Sequence, residues 1–134
     1  MTPRLPSKND LPDPVSVGAD VILCEQVIPD GFRLSLLCDH GIPRSSPGQF
    51  MLLKPPDAPF LLPRPMSLFS REDRNGRAEL GFFFRVVGAG TRFLAERKVG
   101  DRVTVVGPLG RGFLFSPEKP ALLVAGGRGI APKL

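Results

Sequence analysis

Three short clusters hold the residues of this chain best suited to chemistry: Arg64-Pro65-Met66-Ser67, Gly81-Phe82-Phe83-Phe84-Arg85 and Gly88-Ala89-Gly90-Thr91. In the first, a guanidinium can grip a phosphate oxygen pair through two parallel N–H donors. The proline fixes the neighbouring backbone, and the Ser67 hydroxyl or N–H can reach a ring nitrogen. In the second, strand alternation places Phe83 and Arg85 on one face and Phe82 and Phe84 on the other. In the third, glycines open a helical segment where backbone N–H groups are free to meet an anion, with Thr91 as cap or ligand. These groups suit a ligand with a flat ring system at one end and a pyrophosphate in the middle. A flavin dinucleotide has that shape.

Each cluster also fits a plainer arrangement. Arg64 can be a surface arginine beside an edge-strand proline. Phe82 and Phe84 can be core, and Gly88 to Thr91 can be an ordinary helix start.

Elsewhere the chain offers little reactive chemistry. It has one histidine, two cysteines and no CxxC, which leaves no metal-ligating constellation. Cys24 and Cys38 flank Pro29-Asp30-Gly31 and could face each other across a hairpin. A disulfide is conceivable, and two buried thiols are the plainer reading in a cytoplasmic chain. The cytoplasm is the expected compartment, because the N-terminus carries no apolar signal segment and no run approaches the ~20 residues of a membrane helix.

The net charge of +5 is unevenly spread. Residues 1–30 carry two basic and five acidic groups, whereas residues 64–134 carry thirteen basic and six acidic ones. A basic C-terminal half points to an anionic ligand. Nucleic acid fits less well, since the arginines are scattered over strand-like segments and the chain has no Tyr or Trp to stack on bases.

The elements that must position these groups are short. Residues 1–15 read as a loose arm rich in Pro, Asp, Ser and Asn. Strand patterns follow at Val17–Ile28, Phe32–Cys38, Gln49–Lys54, Met66–Ser70, Ala78–Val87 and Arg102–Val106, with a helical turn or two at Thr91–Lys98. Proline presets one angle and glycine accepts positive φ at the Pro29-Asp30-Gly31 turn. Residues 55–63 hold four prolines and read as an extended loop, and Arg71–Arg77 as a charged turn around Asn75-Gly76. Six strands and one small helix predict an all-β fold, an antiparallel β-barrel or sandwich, over residues 16–118.

From residue 119 the grammar changes. Ala121–Ala125 is a continuous apolar run, the pattern of a parallel strand buried on both faces. Gly126-Gly127-Arg128-Gly129 and Ile130-Ala131-Pro132 then read as a glycine loop and a helix start. Residues 119–134 are therefore expected to open a truncated α/β dinucleotide-binding domain.

In this order and spacing, Arg-Pro-x-Ser, aromatic-Arg, Gly-Thr, Gly-Pro-Leu-Gly-x-Gly-Phe and Val-Ala-Gly-Gly-x-Gly-Ile-Ala-Pro resemble the FAD-binding barrel of the ferredoxin reductase superfamily, which implies a six-stranded antiparallel Greek-key barrel with one short helix. Within it the pattern is most similar to the electron-transfer subunits of NAD-dependent dihydroorotate dehydrogenases, over about residues 17–134. The resemblance implies that Arg64, Pro65, Met66 and Ser67 contact the pyrophosphate and isoalloxazine of FAD. It places Phe83, Phe84 and Arg85 beside the ribityl and adenine, and Gly90 and Thr91 on the phosphates. Gly126, Gly127 and Gly129 would belong to the NAD domain. It implies no catalytic side chain, since FAD carries the redox chemistry. It further implies a catalytic dihydroorotate dehydrogenase partner in a hetero-oligomer, with NAD and a [2Fe-2S] centre only in the longer parent, and neither nucleic acid nor membrane as a partner. The cysteine cluster for that centre is absent from this sequence, and Arg128 and Lys133 depart from the usual pattern. Another ferredoxin-reductase-type subunit, hydrogenase- or ferredoxin-linked, fits the same motifs. A non-catalytic β-barrel module for anionic ligands fits the charge.

Overall fold

The computed structural model describes residues 10–133. Of the expected N-terminal arm, residues 1–9 lie outside the described residues, and residues 11–14 have no regular structure and are mostly exposed.

Seven strands form one antiparallel sheet: β1 (Val15–Ile28), β2 (Gly31–Cys38), β3 (Phe50–Lys54), β4 (Arg64–Ser67), β5 (Ser70–Arg74), β6 (Arg77–Arg85) and β7 (Arg102–Leu109). Their order is β4-β3-β7-β1-β2-β6-β5, with β7 inserted between β1 and β3. One helix, α1 (Ala89–Ala95), connects β6 to the turn before β7. The sheet curls so that alternate residues meet on its concave side: Val17, Ala19 and Val21 of β1; Leu34 and Leu36 of β2; Met51 and Leu53 of β3; Leu80, Phe82 and Phe84 of β6; Val103 and Val105 of β7. This period-two burial is what a sheet with one dry face requires. Leu94 of α1 is fully buried in the same core.

The expected six strands are seven. Arg71–Arg74, read from sequence as part of a charged turn, and Ser70, expected to end the Met66–Ser70 strand, together form a strand that pairs with β6 from Ser70↔Gly81 to Arg74↔Arg77. Its sequence, SREDR, is mostly exposed and shows no apolar alternation. An edge strand needs only one ladder and no buried face, and charges there discourage further pairing. Asn75 (φ 49°) and Gly76 (φ 75°) close the hairpin, both in the left-handed region that two-residue hairpins favour. In the other hairpin the positive φ belongs to Asp30 (58°), not to Gly31. Gly31 begins β2 instead, and a Cβ there would collide with the Ile28 side chain.

The loop after β7 docks on the turn before β3. Gln49, buried, accepts from the Ser46 N–H (2.8 Å) and donates to the Gly110 carbonyl (2.9 Å). Phe113 N–H donates to the Pro47 carbonyl (2.8 Å). Gly48 (φ 93°) approaches the Gly112–Phe113 backbone so closely that a Cβ would lie 3.0 Å from the Phe113 nitrogen.

The strand expected at Ala121–Ala125 is not formed. Those residues are exposed and irregular, and Gly127–Lys133 makes a 3-10 helix packed near β6. A strand needs at least one partner for its ladder, and no described strand lies beside this run.

Both cysteines are free thiols. Cys24 pairs with Leu34 and Cys38 with Ala19 in the β1–β2 ladder, so they are not opposite each other. Cys24 donates to the Leu94 and Ala95 carbonyls (3.7 and 3.5 Å). Burial pushes the Cys38 thiol up to about 11. At pH 8 only roughly one molecule in a thousand would then carry the reactive thiolate, against about a quarter for an ordinary thiol near 8.5. Iodoacetamide at pH 8 is therefore expected to leave Cys38 unmodified in folded protein and to label it quickly in urea. Equal rates in both states would show that the strand interior opens to solvent.

Candidate functional site

The site lies where β4 and the β6–α1 turn converge. Arg64 begins β4, paired with Leu53 of β3. Its guanidinium crosses to the start of α1 and covers Gly90. A Cβ on Gly90 would lie 2.7 Å from Arg64 Nε and 2.8 Å from Cδ. The arginine can occupy that position only because residue 90 has no side chain. Its Nη2 donates to the Leu62 carbonyl at 3.3 Å, and its Cζ stands 5.2 Å from the Phe60 ring centroid. Its Nε is buried and has no hydrogen-bond partner. A buried charged donor left unpaired is costly. Here it sits beside a turn of backbone N–H groups, so an anion shared between them is the natural complement.

Thr91 shapes that turn. Its hydroxyl oxygen accepts from the Val87 and Gly88 N–H groups (2.9 and 3.2 Å), and the hydroxyl donates to the Gly88 carbonyl (3.2 Å). One donor and two lone pairs are thereby used. The side chain organises the turn by engaging the Val87 and Gly88 backbone.

The other residues singled out from sequence take varied places. Met66 points into the core, while Pro65 is exposed and Ser67, half-buried, pairs with Phe50 of β3. Phe84 is core, stacked on Phe32 with centroids 6.1 Å apart. Phe83 and exposed Arg85 lie on the opposite face, as alternation predicts. Phe83 tilts toward Phe69 at 6.5 Å, and these two rings with Gly127, Arg128 and Ile130 line a cavity of about 180 Å³. Gly127 therefore comes near Phe83. Gly126 and Gly129 are exposed and have open space at their Cβ positions. Among the described residues there is no group of three or more His, Cys, Asp and Glu that could hold a metal, and no helix long and apolar enough to cross a membrane. Phe60 was missed from sequence, because four prolines made residues 55–63 read as a passive linker.

This curled antiparallel sheet, with its α-helix beside an arginine-bearing strand, has the fold of ferredoxin reductases. It superposes on the ferredoxin reductase in carbazole 1,9a-dioxygenase with a TM-score of 0.64 and 27% identity, covering 78% of this chain and 31% of that one. It matches the Amycolatopsis cytochrome P450 reductase GcoB with a TM-score of 0.67 and 26% identity, over 90% of this chain and 37% of that one. In sequence the chain is homologous to curated electron transfer subunits of dihydroorotate dehydrogenase B (NAD(+)). The subunit from Bacillus velezensis is 47% identical over 93 residues, 66% of this chain and 35% of the relative. That from Enterococcus faecalis is 35% identical over 115 residues, 84% of this chain and 43% of the relative. The chain thus spans less than half the length of these relatives. No family profile matches it.

Proposed function

We propose that this chain binds FAD and is the flavin-holding part of an electron-transfer subunit that passes electrons from a partner dihydroorotate dehydrogenase subunit to NAD in pyrimidine biosynthesis. The observation that carries the reading is Arg64: a guanidinium laid over Gly90 with a buried, unpaired Nε. The donor set fits the group. Arg64 and the Gly90–Thr91 backbone would hold the pyrophosphate, Pro65 and Ser67 would border the isoalloxazine, and Phe83 and Arg85 the ribityl and adenine side. FAD, when bound, supplies the two-electron redox chemistry, and the chain's own residues bind it, orient it and limit water around it. No side chain here has to act as acid or base.

Residues 16–118 are on this reading the Greek-key flavin barrel, and residues 119–134 the opening of a dinucleotide-binding unit in which Gly126, Gly127 and Gly129 would approach NAD. An iron–sulfur centre would lie in the longer protein, in a hetero-oligomer with the catalytic subunit and in the cytoplasm. The named relatives favour this reading over a ferredoxin- or hydrogenase-linked reductase.

The test is a titration of the purified chain with FAD and with riboflavin, followed by quenching of flavin fluorescence. FAD is expected to bind at least about tenfold more tightly, the scale of one charge-assisted hydrogen bond. No FAD binding, or equal affinity for both, would reject the site.

A further inference from the structure

We propose that Phe60 is a positioning residue for Arg64, holding its guanidinium over Gly90 by its aromatic face so that the N–H donors not turned to Leu62 stay free for pyrophosphate. The inference rests on the FAD reading above. Arg64 Cζ lies 5.2 Å from the Phe60 centroid. Phe60 in turn meets the edge of Phe93 on α1, with centroids 5.9 Å apart and planes at 86°. Arg97 backs Phe93, its Cζ 3.8 Å from that ring's centroid and its Nε donating to the Phe93 carbonyl at 2.9 Å. Arg97 also approaches Asp57 (3.7 Å) on the proline-rich loop and Asp101 (3.8 Å) after the helix. Two guanidinia thus bracket two rings, and the 55–63 loop is tied to the helix that carries Gly90.

The chemistry of the bracket is asymmetric. Arg97 has carboxylate neighbours and its side chain is only 13% exposed. Arg64 has no carboxylate within ion-pair distance among the described residues. An acidic partner would fix Arg64 by consuming its in-plane donors and its charge. A ring face attracts the cation from above and uses none of them. An arginine that must stay available to an anion, yet must not swing into solvent, is better held in this way. Its rotamer entropy is then lost before the ligand arrives.

Phe60→Leu keeps an apolar side chain on the loop and removes the π face. FAD affinity is expected to fall about three- to tenfold, the range a partly desolvated cation–π contact supplies. Riboflavin, lacking any phosphate, is expected to bind Phe60→Leu as it binds the unaltered chain, and Phe60→Tyr is expected to retain normal FAD affinity. In an Arg64→Ala background Phe60→Leu should have no further effect on FAD. Additive losses in that double variant, or a matching loss for riboflavin, would overturn the positioning role. If Phe60→Leu does not fold, Phe93→Leu, which removes the support behind the ring, is put through the same cycle and must show the same non-additivity. If the unaltered chain binds FAD and Arg64→Ala does not weaken it, the flavin reading fails at Arg64 itself. If Arg64→Ala weakens it and the cycle is additive, only the role of Phe60 fails.

Discussion

Arg64→Ala is expected to weaken FAD binding by roughly 1.5–3 kcal/mol, about 10- to 150-fold, the scale of a hydrogen bond to a charged group. The estimate follows from what the guanidinium is doing without a ligand. Its Nε has no partner and its Nη2 only a long contact to Leu62. Folding therefore gains little from its hydrogen bonds, and removing them is expected to cost the ligand far more than the fold. Arg64→Lys separates charge from geometry. Lysine keeps the cation, but has no donor at the buried Nε position and no fork. It is expected to recover less than half of the lost free energy. The measurement is FAD affinity at fixed ionic strength for the three proteins, with thermal melts beside it. Unchanged flavin retention in both variants would remove Arg64 from the site.

The sequence showed the sheet more clearly than the site. Ala78–Val87 was readable as a strand because Leu80, Phe82 and Phe84 alternate with residues on the opposite face, and all three are buried in the core. The β1–β2 hairpin was readable for the same reason. Ser70–Arg74 was not, because an exposed edge strand is defined by its ladder to β6 and not by its own side chains. Ala121–Ala125 is the converse case: its apolar run describes a strand buried on both faces, and among the described residues it is exposed with no strand beside it. At the site, Arg64, Gly90 and Thr91 could be picked out by type, but not their mutual arrangement. The guanidinium over Gly90 is a contact between residues 26 positions apart. Phe60 left no trace in the pattern, since its importance comes from the Arg64 and Phe93 side chains it meets in space.

Gly90→Ala is expected to move stability and flavin affinity in opposite directions. Gly90 lies in the first turn of α1, and its φ is outside the left-handed region. Alanine is the better helix former, so the backbone favours the change by up to about 1 kcal/mol. The atoms nearest the added Cβ would be those of Arg64, with Nε at 2.7 Å and Cδ at 2.8 Å. Those atoms belong to a flexible side chain that can turn away, so the fold survives the collision and the guanidinium position does not. The melting temperature without flavin is expected to stay level or rise, while FAD affinity falls at least tenfold, close to the Arg64→Ala loss. Gly90→Val should carry the same flavin defect with some loss of stability, since a β-branched residue is the poorer helix former. The decisive comparison is Gly90→Ala in an Arg64→Ala background. With the arginine gone the cradle has nothing left to displace, and the second change should cost little further FAD affinity. A full second loss there would mean that residue 90 meets the ligand directly through its backbone. Normal FAD affinity in folded Gly90→Ala would mean that Arg64 binds from some other position than the one it holds over Gly90.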